Sequence, residues 1–570
     1  MLGRYLPSWD WVRKYDRRDL PGDLTAGVVV AILLVPQAMA YAMLAGLPPI
    51  MGLYAAAFPI VAYALFGSSR HLSVGPFAVV SLVVAAECSA FATPGSPEYI
   101  RVALQLCLLV GAIKLALGLV RLGFLANFLS HAVISGFTSA AAILIGLSQL
   151  RHLLGIPLAP NPSVAGLLAE TARRIGETHL PTLGIGLGGI AVLLVLKKLF
   201  RRFPGSIVIV VLGTLLVCLL RLDTRGVKVV GEVPRGLPGL SVPGMSLGEG
   251  VALFRAATVV VFVSFVGSIS VAKFVATRER YRLDANCELR ALGLANIAAA
   301  LFGGCPVAGS LSRTAVDYEA GGKTQLASLF ASGLIILTLL VLTPLFYYLP
   351  NAVLAAIIMV AVVGMIDLKT PVQLFKVKQA DGWCMVATFA GTLVLGVSAG
   401  IVLGVALSLA LFMWRSSRPR IVELGYLPGK DVFRDVSRFP EAKTYPGTAI
   451  IRVDSRLYFA NAEFVEDRIR ELAVERPDLE RIIVACSGVN DVDAVAIETF
   501  ETLMTLCQAQ GIEFVFAEMK GPVRDLVGRA GWQERYGTQN RYVSLKRALR
   551  DMGLMPPRGA SAKGRGESSR

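Results

Sequence analysis

The chain is short of charge. Of its 570 residues, 17% are charged against 55% hydrophobic, with a mean hydropathy of +0.63. That balance excludes an ordinary soluble protein, where charged residues make up about a quarter. The apolar runs are instead long enough to cross a bilayer at about 20 residues each. Histidine is scarce: His71, His131, His152 and His179 show no metal-ligand spacing, so no metal is expected. The eight cysteines form no CxxC pair and no framework, and reduced structural thiols are expected. There is no nucleophile–base set and no glycine-rich phosphate cradle, which argues against an enzyme and against any cofactor. Residues 1–19 hold no apolar core of a signal peptide, leaving the first spanning helix as the targeting signal. The net charge of +16 would suit nucleic acid, but the basic residues flank apolar segments, the positive-inside pattern. No nucleic-acid partner is expected.

What is present centres on GGCPVAGSLSRTAVD, from Gly303 to Asp317. Pro306 and three glycines interrupt the backbone inside a long apolar region, and Ser310, Ser312 and Arg313 bring polar groups and a cation to membrane depth. Broken backbone is tolerated there only when buried in protein or lining a cavity, and an intramembrane Arg faces a partner or a wet hollow. A helix restarting near Ser310 offers free N–H groups and the positive end of its dipole. The stretch reads as half of an anion site.

Earlier, Ser73 to Ala78 (SVGPFA) sets a Gly-Pro step before a short apolar run, the same device. From Leu24 to Pro76 is 52 residues and from Val251 to Pro306 is 55. Short, broken segments at corresponding places in two halves point to an inverted-repeat site. Continuous spans are expected at about 23–41, 50–66, 101–120, 131–150, 181–200, 206–221, 251–275, 287–302, 325–348, 352–366, 383–397 and 399–414. With the two broken segments the total is about fourteen, seven per half, in repeats of about 21–225 and 250–418 within a transmembrane domain of 21–420. Residues 222–250, rich in Gly and Pro, read as an external loop.

Residues 1–20 read as a cytoplasmic arm, either amphipathic, with Trp9 and Trp11 at the interface, or a plain solvated leader. Basic clusters at Arg13–Arg18, Lys197–Arg202, Lys273–Arg282 and Arg415–Arg420 fall on one side if both termini are cytoplasmic. Arg173 and Arg174 fall on the other. Beyond Arg420 the pattern changes. A linker over 421–444 leads into strands alternating with amphipathic helices over 445–552, a small α/β domain, and a disordered basic tail over 553–570.

Four stretches carry a family resemblance: VPQAMAYAMLAGLPPIMGLY at 35–54, FGSSRHLSVGPFAVVSL at 66–82, GSLSRTAV at 309–316 followed by GGKTQLA at 321–327, and LYFANAEF at 457–464. The chain resembles the sulfate-permease (SulP) family of anion transporters with a C-terminal STAS domain, over about 20–550. The resemblance implies an all-α membrane domain of two intertwined inverted seven-helix repeats, a substrate-carrying core and a gate. It also implies a homodimer in the cell (inner) membrane, with the STAS domain cytosolic and open to a partner. By position, Gln37 and Tyr41 from the first helix, Phe77 and Ala78 at the start of the third, and Ser310, Leu311, Ser312 and Arg313 at the start of the tenth would wall the pocket. Alone, Gln37 reads equally as interhelical glue. Ser310 and Ser312 would bond the anion or merely cap the helix, and Arg313 would supply positive potential or pair with an acid.

One departure concerns coupling. Where members that use protons or sodium carry an acidic residue on the eighth helix, this chain reads FVGSISVAK, with Gly267 and Ser270 at the two expected positions. Symport loses its obvious residue, which raises exchange or uncoupled flux. Glu87 is the substitute carboxylate, or else pairs with Lys114. In the STAS domain Ala494 stands where related anti-sigma antagonists carry a phosphorylatable serine. The expected function is secondary active transport of a small inorganic anion, sulfate first. Bicarbonate/chloride exchange, a channel, a nucleobase carrier and a signalling scaffold are the alternatives.

Overall fold

The computed structural model describes residues 8–13, 15–128, 130–158, 164–199, 205–537 and 541–556. It divides into two compact units, Met1–Ser408 and Leu409–Arg570. The expected tail beyond 556 and part of the basic cluster at 200–202 lie outside the described residues.

Among those residues, eight helical runs are long and apolar enough to cross a membrane, and three shorter apolar helices accompany them. In chain order, the helices at the expected spans are α1 (Leu20–Leu44), α2 (Pro49–Phe66), α3 (Ala78–Cys88), α4 (Pro97–Leu119), α5 (His131–Ser148), α6 (Leu180–Leu199), α7 (Gly205–Leu220), α8 (Leu247–Arg278), α9 (Ala285–Leu301), α10 (Leu311–Glu319), α11 (Leu326–Leu337), α12 (Asn351–Val363), α13 (Gln379–Leu395) and α14 (Val397–Ser417). α3 and α10 are the short ones, because Gly-Pro and Gly-Ser steps start them at mid-span.

Two bundles sort the halves. α1–α4 pack with α8–α11, while α5–α7 pack with α12 and α13. Each bundle thus takes matching helices from both repeats. Small residues set the closest approaches. A Cβ at Gly111 on α4 would fall 2.8 Å from the Gly293 carbonyl oxygen on α9, and one at Gly293 would fall 2.7 Å from the Leu115 nitrogen. Such backbone proximity is how helices associate where lipid removes the hydrophobic drive. α14 rests on its bundle through Gly404, whose added Cβ would meet Thr388 and Val133 at 2.7 Å.

The 222–250 segment is less loose than its Gly and Pro suggest. Val230 and Gly231 donate to the carbonyls of Leu349 and Tyr347, and Ser241 to that of Leu301. In the N-terminal arm, Trp11 does not stand free. It lines a polar pocket of about 150 Å³ with Tyr15, Asp19, Arg70, His71 and Lys323.

The second unit holds a six-stranded sheet in the order β4-β3-β5-β6-β7-β8. The stretch 421–444, expected as a linker, carries β3 (Ile421–Leu427) and β4 (Val432–Asp435). β3 pairs antiparallel with β4 and with β5 (Thr448–Val453), so it is part of the domain. Pro428 and Gly429 lie in the turn that joins β3 and β4. β5, β6 (Arg481–Ala485), β7 (Glu513–Ala517) and β8 (Arg541–Tyr542) run parallel. Ile451, Ile482 and Phe516 face one apolar layer, Ile450 and Ile483 the other, as strand alternation requires.

Candidate functional site

Two strands of two residues each bring the half-helices together. β1 (Val74–Gly75) pairs antiparallel with β2 (Ala308–Gly309), Val74 opposite Gly309 and Gly75 opposite Ala308. Each strand runs within three residues into a helix N-terminus, α3 behind Phe77 and α10 behind Ser310. The antiparallel ladder therefore sets the two N-termini facing each other. Three further bonds tie them. The Ser310 N–H donates to the Ser73 carbonyl at 3.1 Å, the Ser73 N–H to Thr314 Oγ1 at 3.0 Å, and Arg313 Nη1 to the Pro76 carbonyl at 2.7 Å.

Side chains from the surrounding core brace this crossover. Ser268 Oγ on α8 accepts the Gly309 N–H at 2.8 Å. Asn296 on α9 brackets Val307, accepting its N–H at 3.0 Å and donating to its carbonyl at 3.1 Å. Gln325 Nε2 donates to the carbonyls of Ser69 and Leu72. Glu288 accepts from Tyr63 Oη, from Ser68 through N–H and hydroxyl, and from the Ser69 N–H. Asp23 accepts from Lys323, Thr324 and Tyr15. Sequence reading missed all of these. The available signal was a polar residue in each of several apolar helices, but the partners are backbone groups far away in the chain.

Neither half-helix has a side-chain cap. Ser310 does not cap α10: its hydroxyl meets that of Ser312 at 3.2 Å. The first N–H groups of both helices are thus left without a side-chain acceptor, and their dipoles add. Arg313 is fully buried, with Nε and Nη2 unpartnered, and no acid pairs with it among the described residues. A buried guanidinium with unmet donors raises the local potential, and unmet donors are costly unless a ligand or water meets them. α10 packs on α1, which carries Gln37 and Tyr41, both buried; Gln37 Oε1 is also unpartnered. Ala78 is buried and Phe77 half-buried, whereas Leu311 is 56% exposed and Ser312 is exposed. The tip of α10 therefore reaches open space. Gly267 borders open space too, since a Cβ there would meet nothing within 4 Å, and Ser270 is exposed.

Glu87 lies elsewhere. It lines a cavity of about 1150 Å³ at the far end of α3, with Arg151 and Arg255. It does not pair with Lys114, whose Nζ is buried and unpartnered in α4. His71 lies in the turn between α2 and α3. Its ring stacks on Tyr281 and edges Tyr318, neither nitrogen has a partner, and burial pushes its pKa down to about 4. In the second unit Ala494 opens the helix Ala494–Ala509, with Asp493 as its cap, so no hydroxyl stands at that position.

Opposed, uncapped half-helices inside interlocked bundles of spanning helices define a multi-pass membrane transporter of the inverted-repeat class. Residues 20–388 match the sulfate permease family and residues 439–544 the STAS domain. The chain belongs to the sulfate permease family. It is 37% identical to "Sulfate transporter 4.1, chloroplastic" of Arabidopsis thaliana over 95% of this chain and 82% of that protein. It is 36% identical to a probable sulfate transporter of Mycobacterium tuberculosis over 94% and 96%. The murine Solute Carrier 26 family member A9 anion transporter, in its inward-facing state, superposes with a TM-score of 0.90 at 26% identity, covering 97% of this chain and 95% of that one. The transmembrane domain of the cyanobacterium bicarbonate transporter BicA gives a TM-score of 0.59 at 26% identity over 69% of this chain and 97% of that one.

Proposed function

We propose that this protein moves sulfate, or an inorganic anion of similar size, across a membrane by alternating access. The anion sits between the N-termini of α3 and α10. Backbone N–H groups at Phe77, Ala78, Leu311 and Ser312 donate to it, Ser310 and Ser312 add hydroxyls, and Gln37 and Tyr41 close the wall. Arg313 supplies potential from behind Pro76. The observation that carries this reading is the pair of uncapped N-termini facing each other beside a buried cation with unmet donors. The chain works as a homodimer in the cell (inner) membrane, with both termini and the STAS domain in the cytoplasm, where a partner protein has access to that domain. It performs no catalysis and binds no nucleic acid.

The test is uptake of labelled sulfate into proteoliposomes, with chloride, bicarbonate, oxalate and uracil as competitors. Saturable uptake that uracil leaves untouched supports the proposal, and its absence with every anion overturns it. Bicarbonate is the second candidate, favoured by the likeness to BicA, and the same panel ranks it.

A further inference from the structure

The acidic residue missing from α8 has a counterpart on α10. Asp317 follows Arg313 by four residues, so both project from one face of the half-helix, about 6 Å apart along its axis. Asp317 is 3% exposed. Among the described residues its carboxyl accepts no hydrogen bond and meets no cation at ion-pair distance, and it packs so tightly on the following turn that a Cβ at Gly322 would fall 2.7 Å from Oδ1. The ionisable group that acts on it is another carboxylate, Asp23 of α1. Asp23 already accepts four hydrogen bonds, from the N–H groups of Lys323 and Thr324, the Thr324 hydroxyl and the Tyr15 hydroxyl. A second carboxylate without donors, buried beside that one, is costly as an anion and cheap as an acid.

We propose that Asp317 is the proton-carrying residue of this transporter, taking up one proton as the anion binds between the half-helices and releasing it when the anion leaves. This rests on the transport reading above. The coupling is electrostatic. A negative charge on Asp317, about two turns behind the N-terminus of α10, opposes an anion bound there, and protonation removes that charge, so the anion and the proton favour each other's binding. The proton comes from water on the side where the site is open and adds to a carboxylate oxygen. On the opposite side the O–H bond breaks and the proton returns to water, with no other bond made or broken. The titratable and charged groups around Asp317 are Asp23 from α1, Arg313 on its own helix and Lys323 in the turn after it. Tyr15, Asp19, Arg70, His71, Tyr281 and, just past the end of α8, Glu279 lie around the adjoining small pocket.

Two measurements on the full-length protein test this, each with wild type, Asp317→Asn and Asp317→Glu. The first is infrared difference spectroscopy on a pH jump in detergent. A protonated-carboxyl band that Asp317→Asn abolishes and Asp317→Glu shifts is expected; a spectrum unchanged by Asp317→Asn overturns the held proton whatever the transport result. The second is sulfate uptake with a pH dye trapped in the lumen. Wild-type uptake should acidify the lumen and fall by up to ~10-fold per pH unit on the alkaline side, the limit for one obligatory proton. In Asp317→Asn the pH dependence should flatten and the acidification vanish, and Asp317→Glu should restore both. Acidification that survives Asp317→Asn, or wild-type uptake without it, overturns the coupling. If the wild type takes up no anion while the infrared band stands, transport and its coupling both fall and the protonated site alone remains.

Discussion

Arg313 Nη1 donates a 2.7 Å hydrogen bond to the carbonyl of Pro76, joining residues 237 apart in the chain. With the β1–β2 ladder and the two bonds of Ser73, that contact holds the second half-helix to the entry of the first, and it commits one guanidinium nitrogen to structure while two remain unpartnered in the buried interior. The first prediction follows from this division. Arg313→Gln should lower sulfate uptake by ~10- to 100-fold, the equivalent of a charged hydrogen bond of about 1.5–3 kcal/mol. Initial rates in proteoliposomes, normalised to folded protein by size-exclusion chromatography, measure it. Unchanged rates would remove Arg313 from the mechanism.

A second prediction concerns Gly267. Because a Cβ there meets nothing, Gly267→Glu should fold and place a carboxylate facing the opening beside α10. At about pH 8 its charge should repel the anion and cut uptake by roughly 10-fold, a cost of ~1.4 kcal/mol. Acidification toward about pH 5, where a carboxyl begins to protonate, should recover part of the loss. Equal uptake by variant and wild type at both pH values would mean that the anion passes elsewhere.

A third concerns the brace rather than the site. Asn296→Ala deletes both bonds to Val307 and strands a buried N–H and carbonyl next to the crossover. The cost should be about 2–4 kcal/mol from the unsatisfied groups, read as a lower melting temperature in detergent. A melting curve superimposed on that of wild type would count against the bracket.

A fourth is a pH dependence of stability. Burial lowers the pKa of His71 to about 4, from the ordinary imidazole value of 6.5. Between those values the unfolded chain binds the proton and the folded chain does not. Stability is therefore full above about pH 6.5 and falls as pH drops toward about 4. Melting temperatures across that window should decline for wild type and decline less for His71→Gln. An identical slope in both would assign the loss to other groups.

Much of this architecture was legible from residue order alone. Pro306 and the glycines around it, repeated in kind at Gly75-Pro76, announced two interrupted spans, and the strands beside them pair residue for residue in the fold. The span limits followed because uninterrupted apolar runs must be helical in lipid. The bracing groups were not legible. Glu288, Asn296 and Ser268 each serve backbone atoms that only the fold brings near, and no local pattern encodes such a meeting. Lys114 misled for a related reason: a cation and a carboxylate in neighbouring spans suggested a pair with Glu87, yet each faces a different environment. Asp317 was overlooked because its neighbour Arg313 drew the attention of any charge-based reading, and its isolation appears only in three dimensions.

The close backbone meeting of α4 and α9 through Gly111 and Gly293 has a mechanical consequence. Backbone atoms make most of the contact there and the Ile297 side chain fills what remains, so there is little to re-rotamerise or compress and that seam resists both sliding and hinging. Whatever displacement carries cargo from one face to the other must then occur along a softer joint, and the helices on either side of the seam travel as a single stiff block.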